Sequence, residues 1–221
     1  MDFSAIKQNL ENHGFIVSCF QSAIDATKYL DGVIDGKTIG IGGSKTVEQM
    51  GLLQALETHN RVLYRFGTYK SPEEVMKEAL TSDVFITSAN GVAETGEIVN
   101  IDGNCNRIAA EFYGHERVYI IVGSNKIQPT FEQALWRARN VAAPKNAKRF
   151  GKNTPCVVNG DRCYDCSSPE RICRGLAVMW RKPSNSAKYE VVLIDEELKI
   201  KKKNPKKKNP ADIGGFFEVT G

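Results

Sequence analysis

Between residues 15 and 141, short apolar runs alternate with amphipathic stretches of helical period, and no other feature of the chain constrains its fold more. The apolar runs are 15–20, 37–42, 61–66, 83–87 and 117–122. Helical patterns fall at 4–13, at 22–31, and on a stretch that turns Val47, Met50, Leu53 and Leu56 to one side. Three more follow: one opened by Ser71-Pro72-Glu73-Glu74, one ending at Gly114, and one over 130–141 that stops near Pro144. Ser71 and Ser22 stand where a hydroxyl can accept an orphan helix N–H, and Pro72, Glu73 and Glu74 suit a first helical turn. Strands separated by helices pair in parallel, because the crossover brings each strand back in the same direction. The expectation is an α/β domain with a mainly parallel sheet and helices on both faces. The uninterrupted apolar character of 117–122 marks a central strand covered on both sides. Two later runs, 177–181 and 189–194, joined by the polar segment 182–188, read as a hairpin at a sheet edge.

A length of 221 residues suits one such domain, which we place at 1–198, with an irregular cysteine-rich loop at 154–174. The remainder, 199–221, differs in kind. It repeats Lys-Lys-Lys-Asn-Pro and has no means of burying a core, so it reads as a disordered, solvated extension; a tether to nucleic acid or membrane is the alternative. Its seven lysines and two acids account for the formal charge of +4; the domain without them is close to neutral, which removes the electrostatic case for a nucleic-acid partner. No apolar stretch is long enough to span a bilayer or resembles a signal peptide, so the expected compartment is the cytoplasm.

Two polar loops at strand ends are the candidate ligand site. Gly42-Gly43-Ser44, with Thr46, follows a strand and opens a helix; exposed backbone N–H groups and the positive end of a helix suit a small anion. The simpler alternative is a plain strand-to-helix turn capped by Ser44. The second loop runs from Asn90 through Glu94-Thr95-Gly96 to Asp102, Asn104, Asn106 and Arg107. Glu94 is its candidate acid, base or nucleophile, Asn90 and Thr95 offer orienting groups, and Arg107 a cation. Residues 92–93 and 98–101 could also pair as a hairpin across Thr95-Gly96, which would present Glu94 at its turn. Cys156, Cys163, Cys166 and Cys173 fall within eighteen residues; four thiolates can surround zinc or support an iron–sulfur cluster, while free thiols or a redox disulfide remain open. His13, His59 and His115 lie near helix ends and read as surface residues or caps, and Trp136 reads as core. No nicotinamide-binding fingerprint with its downstream acid is present, which argues against a stand-alone dehydrogenase.

Taken together, 88–110, Val122-Gly123-Ser124-Asn125-Lys126-Ile127, Arg137-Ala138-Arg139-Asn140-Val141-Ala142-Ala143-Pro144 and the cysteine loop make a pattern that resembles the LUD-domain family of lactate utilisation proteins, in a cysteine-bearing branch. The resemblance covers nearly all of 1–198 and departs at Cys105, where a glycine is expected. It implies a Rossmann-like α/β fold similar to sugar-phosphate isomerases and CoA transferases. It further implies a part in oxidising lactate or a related 2-hydroxy acid to a keto acid, beside iron–sulfur partner proteins, with homo-oligomers an option. Glu94-Thr95-Gly96 matches the family's most recognisable loop, and Gly42, Gly43 and Ser44 fall where related folds hold an anionic ligand.

Three readings follow. The chain is a component of a lactate-oxidising system; or an enzyme acting on a phosphorylated or CoA-linked metabolite through Glu94; or a non-catalytic ligand-binding subunit with a structural zinc loop.

Overall fold

The structure is a computed structural model and describes residues 1–64 and 71–198. Expectations for 65–66, at the end of the third apolar run, and for the lysine tail lie outside the described residues.

In chain order the elements are α1 (Ser4–Asn12), β1 (Ile16–Phe20), α2 (Ala23–Val33), β2 (Thr38–Ile41), α3 (Lys45–Gln49), α4 (Leu52–Leu56), β3 (Arg61–Tyr64), α5 (Pro72–Ala79), β4 (Val84–Ser88), β5 (Gly91–Ala93) and β6 (Ile98–Asp102). There follow α6 (Asn106–Phe112), β7 (Arg117–Gly123), β8 (Ile127–Gln128), α7 (Phe131–Arg137), α8 (Ala143–Arg149), α9 (Pro155–Val158), β9 (Gly175–Met179) and β10 (Lys188–Ile194). Six strands form one all-parallel sheet in the order β1-β10-β7-β4-β2-β3. Helices cover both faces, as the alternation requires. In β7, Val118, Ile120 and Val122 face a core shared with Ile6 and Leu10 of α1 and Ala110 of α6. Its intervening residues Tyr119 and Ile121 face a second core with Leu30 of α2, Val47 of α3 and Leu52 and Leu56 of α4. A strand covered on both sides has no polar face, which is why its sequence is an unbroken apolar run.

Local signals behaved as their chemistry predicts at several places. Ser71 and Glu74 form a reciprocal capping box on α5, and Ser22 caps α2 by accepting from the Asp25 N–H. Gly91 to Ala93 and Ile98 to Asp102 do pair antiparallel, within a second small sheet ordered β8-β5-β6-β9.

Three expectations need correction. Residues 177–181 and 189–194 are not a hairpin: β9 pairs antiparallel with β6 in the small sheet, while β10 lies between β1 and β7 in the main one. The polar stretch between them carries the chain from one sheet to the other, and β10, buried from Tyr189 to Ile194, has the composition of an interior strand. The helix from Phe131 does not stop before Pro144. It loosens into a π-helical segment, Ala138–Ala142, and continues as α8, with Pro144 just beyond the widened turn, whose loosened ladder accommodates a residue that has no N–H to donate. The helix carrying Val47 to Leu56 is two short ones, divided at Gly51, whose φ of 72° is left-handed.

The chain leaves β2 for the outer strand β3, then crosses back to β4 and continues through β7 away from β2. Loops after β2 and β4 therefore diverge at their C-terminal ends. That is where an open parallel sheet forms a crevice for ligands. Among the described residues no helix is long and apolar enough to cross a membrane.

Candidate functional site

The crevice between β2 and β4 is closed by a residue from the turn that follows β7. After Gly123 the chain makes a 3-10 turn, Ser124–Lys126, which drops the Lys126 side chain across the strand ends. Its Nζ donates to Thr46 Oγ1 at 2.7 Å and to Ser88 Oγ. Thr46 sits in the first turn of α3, and Ser44 caps that helix by accepting from Val47 N–H. Ser88 ends β4 and donates its own proton to the Ile121 carbonyl. Lys126 thus ties together the two loops that the sequence singled out. It is buried, and burial, reinforced by the nearby Arg137 and Arg107 charges, pushes its amine down to about 7.

Arg107, from the first turn of α6, supplies the second layer. Its guanidinium donates to the Ser88 carbonyl (3.1 Å), the Ile101 carbonyl (2.8 Å), Asn90 Oδ1 (3.4 Å) and Glu111 Oε1 (2.9 Å). Gly42 makes room for it: a Cβ there would stand 3.1 Å from Arg107 Cδ. Glu111 is buried and also accepts from Thr87 Oγ1 at 3.0 Å and Asn100 Nδ2 at 2.9 Å. Burial raises its proton affinity, against the opposing pull of Arg107, Thr87 and Asn100. Asn90 cross-links the loop, donating its N–H to Asn100 Oδ1 and accepting from Ile101 N–H. Arg137 of α7 donates to the Asn125 carbonyl at 2.9 Å and to the Asn90 carbonyl, and burial lowers its proton affinity. Asp102 is engaged by the N–H groups of Gly103, Arg107 and Ile108, so it starts α6 rather than facing the crevice. The result is three basic side chains, Lys126, Arg107 and Arg137, gathered at the strand ends, of which Arg107 is bonded to the buried carboxylate of Glu111.

The remaining candidates are distributed around this centre. Gly42, Gly43 and Asn106 line a cavity of about 10 Å³ with Leu63, Val75 and Phe85, room for one water. A larger open depression of about 580 Å³ flanks α3 between Lys45, Glu48, Gln54 and Arg149. Glu94 is exposed at the β5–β6 turn; its N–H donates to the Gln128 carbonyl and its carbonyl accepts from Asn9 of α1. Thr95 donates to Glu97, and Gly96 packs against His13 with φ of 108°. This turn is held to α1, and no described hydrogen bond joins it to Lys126. Asn104 is exposed. Cys105 takes the left-handed φ of 61° that the expected glycine would have supplied, and Gly175 leaves space for its sulfur, since a Cβ there would lie 2.5 Å from Cys105 Sγ.

Two residues read as surface or core trade places. His115 is buried, donating from Nδ1 to the Ser82 carbonyl and stacking on Phe85, whereas Trp136 is exposed. Lys126 and Glu111 were given no site role from the sequence. The available signal was position: Lys126 directly follows the most apolar strand, at the sheet end where the other loops gather.

All four clustered cysteines are free and partly exposed. Cys163 is held on the π-helical segment, its N–H donating to Asn140 Oδ1 at 3.0 Å, and Cys156 Sγ lies 3.2 Å from Thr154 Oγ1. Arg171 organises the loop, donating to the carbonyls of Cys166 and Cys173 and to Asp165. Four thiols are the right donors for zinc or an iron–sulfur cluster, but among the described residues no three His, Cys, Asp or Glu side chains are grouped to hold a metal. As placed, the loop is arranged around a guanidinium.

No curated protein matches the chain. Among solved structures it is similar to a DUF162 family protein from Deinococcus radiodurans, at 12% identity and a TM-score of 0.50, covering 88% of this chain and 99% of that one; this likeness concerns the fold alone. The LUD domain model matches residues 4–194, which spans both sheets and the site around Lys126. The chain therefore belongs to the LUD domain family, a family associated with lactate utilisation.

Proposed function

We propose that the chain is a component of a system oxidising lactate or a related 2-hydroxy acid to a keto acid, and that it binds the small carboxylate at the crevice bridged by Lys126. The observation that carries this reading is the gathering of basic groups at the strand ends: the guanidiniums of Arg107 and Arg137 beside the buried amine of Lys126. Guanidinium and amine N–H groups drawn together favour a small anion, because a carboxylate can accept from several of them at once. Titration calorimetry with lactate and pyruvate, with sulfate and chloride as controls, tests it. Saturable binding of one of the organic acids, weakened at least about tenfold in Lys126→Met, is the expected result, a loss that corresponds to roughly 1.4 kcal/mol. Absence of binding for every hydroxy and oxo acid tried would remove the reading.

The alternative, catalysis by Glu94 on a phosphorylated or CoA-linked metabolite, has less support, since that carboxylate is exposed and its turn is bonded to α1. Glu94→Gln decides it: loss of turnover with ligand binding still measurable supports the alternative, and surviving activity means that Glu94 is not the catalytic residue. A zinc or cluster role for Cys156, Cys163, Cys166 and Cys173, with iron–sulfur partners, is a separate proposal resting on donor chemistry. At least one iron or zinc per chain in anaerobically purified protein, lost in Cys166→Ser, would establish it.

A further inference from the structure

Among the described residues Lys126 is the lysine that is almost wholly withdrawn from solvent, and counting hydrogen bonds around its nitrogen defines its chemical state. A neutral primary amine has two N–H donors and a lone pair; an ammonium has three donors and no lone pair. Two acceptors are in place, Thr46 Oγ1 and Ser88 Oγ. Ser88 has committed its proton to the Ile121 carbonyl, so toward Nζ it can only accept. Among the described residues no third acceptor and no carboxylate meets Nζ. An ammonium would leave one buried N–H unsatisfied, at a cost of about 1–3 kcal/mol or more for a charged group. A neutral amine satisfies both donors and keeps its lone pair free. The position of the Ser88 proton also disfavours a serine nucleophile, because activation by Lys126 needs that proton directed at Nζ. The amine itself is the poised group.

We propose that Lys126 Nζ is a nucleophile that captures the carbonyl carbon of a small 2-oxo carboxylate as an imine. The inference rests on the carboxylate-binding reading of the same crevice and adds a covalent step and a choice of ligand. A 2-hydroxy acid has no carbonyl carbon at that position and is held only as an anion. The lone pair of Nζ attacks C2, the C=O electron pair moves to oxygen, and a proton passes from nitrogen to that oxygen. The C–O bond then breaks as the leaving hydroxyl takes a second proton, the C=N bond forms, and water departs. One amine and one carbonyl give one imine and one water, with no oxidant or reductant consumed. Arg107 and Arg137 are the charges positioned to balance the carboxylate. Among the described residues, Asn125, in the same turn as Lys126, has a buried side-chain oxygen with no hydrogen-bond partner.

The full chain is incubated with pyruvate and sodium cyanoborohydride, then read by intact mass and peptide mapping, with calorimetric binding measured on the same preparation. The expected result is a saturable mass gain of one pyruvic acid less one oxygen, mapped to Lys126. It is absent with lactate, absent in Lys126→Met, and rises in rate as pH increases through about 7. Peptide mapping of the wild-type chain decides the matter even where the variant fails to fold. Adducts confined to exposed lysines overturn the proposal. Pyruvate binding without an adduct on Lys126 overturns the imine and leaves the anion site standing. No binding of either acid overturns both.

Discussion

Replacing Lys126 with methionine should change the sign of its effect on stability with pH. In the unfolded chain the lysine holds its proton up to the ordinary value of 10.5, whereas in the folded chain burial lowers this to about 7. Between those values the unfolded state binds one more proton than the folded state, so wild-type stability rises with pH across the window, by about 1.4 kcal/mol per pH unit at most. The whole interval corresponds to roughly 5 kcal/mol, present as a penalty below about pH 7 and gone above about pH 10.5. Methionine has similar length, no charge and no titration, but it abandons the hydrogen bonds to Thr46 and Ser88, a loss of about 1 kcal/mol each. The variant is therefore expected to be about 3 kcal/mol more stable than wild type near pH 6 and about 2 kcal/mol less stable above about pH 10, the curves crossing near about pH 9. Urea unfolding of both proteins at a series of pH values, under reducing conditions, reads the difference directly, and other titrations cancel between the two chains. A difference that stays constant from about pH 6 to pH 10 would refute the argument, because it would mean that Lys126 keeps a solvated amine's proton affinity when folded.

Glu111→Ala leaves Arg107 buried opposite no acid and frees Thr87 and Asn100, so thermal unfolding should show a loss of roughly 3–5 kcal/mol, with Glu111→Gln milder. Gly91→Ala would place a Cβ 2.4 Å from the Ala134 carbonyl oxygen, backbone against backbone. It should cost about 1–3 kcal/mol and, by shifting α7 and its Arg137, weaken carboxylate binding as well. Arg171→Ala should release the cysteine loop, seen as several-fold faster alkylation of Cys163, Cys166 and Cys173, with the melting temperature of the main sheet nearly unchanged.

The elements of this protein are legible in its sequence wherever their cause is local. Strand and helix periods, the Ser71 capping box, the 91–102 hairpin and the unbroken apolar strand β7 all follow from residues adjacent in the chain. The two loops of the site were legible for the same reason, since Gly42-Gly43-Ser44 and Asn90 mark sharp exits from strands. Their connection was not. Lys126 in the sequence is one lysine among many; only the parallel sheet, by setting β7 beside β4, drops it between Thr46 and Ser88 and takes water from it. Tertiary structure likewise inserted β10 between β1 and β7, buried His115, exposed Trp136, and arranged the cysteine loop around Arg171. Periodicity reports which face of a segment is apolar. Strand order, and with it the burial of a particular amine, depends on contacts between residues distant in the chain, and those contacts leave no period to read.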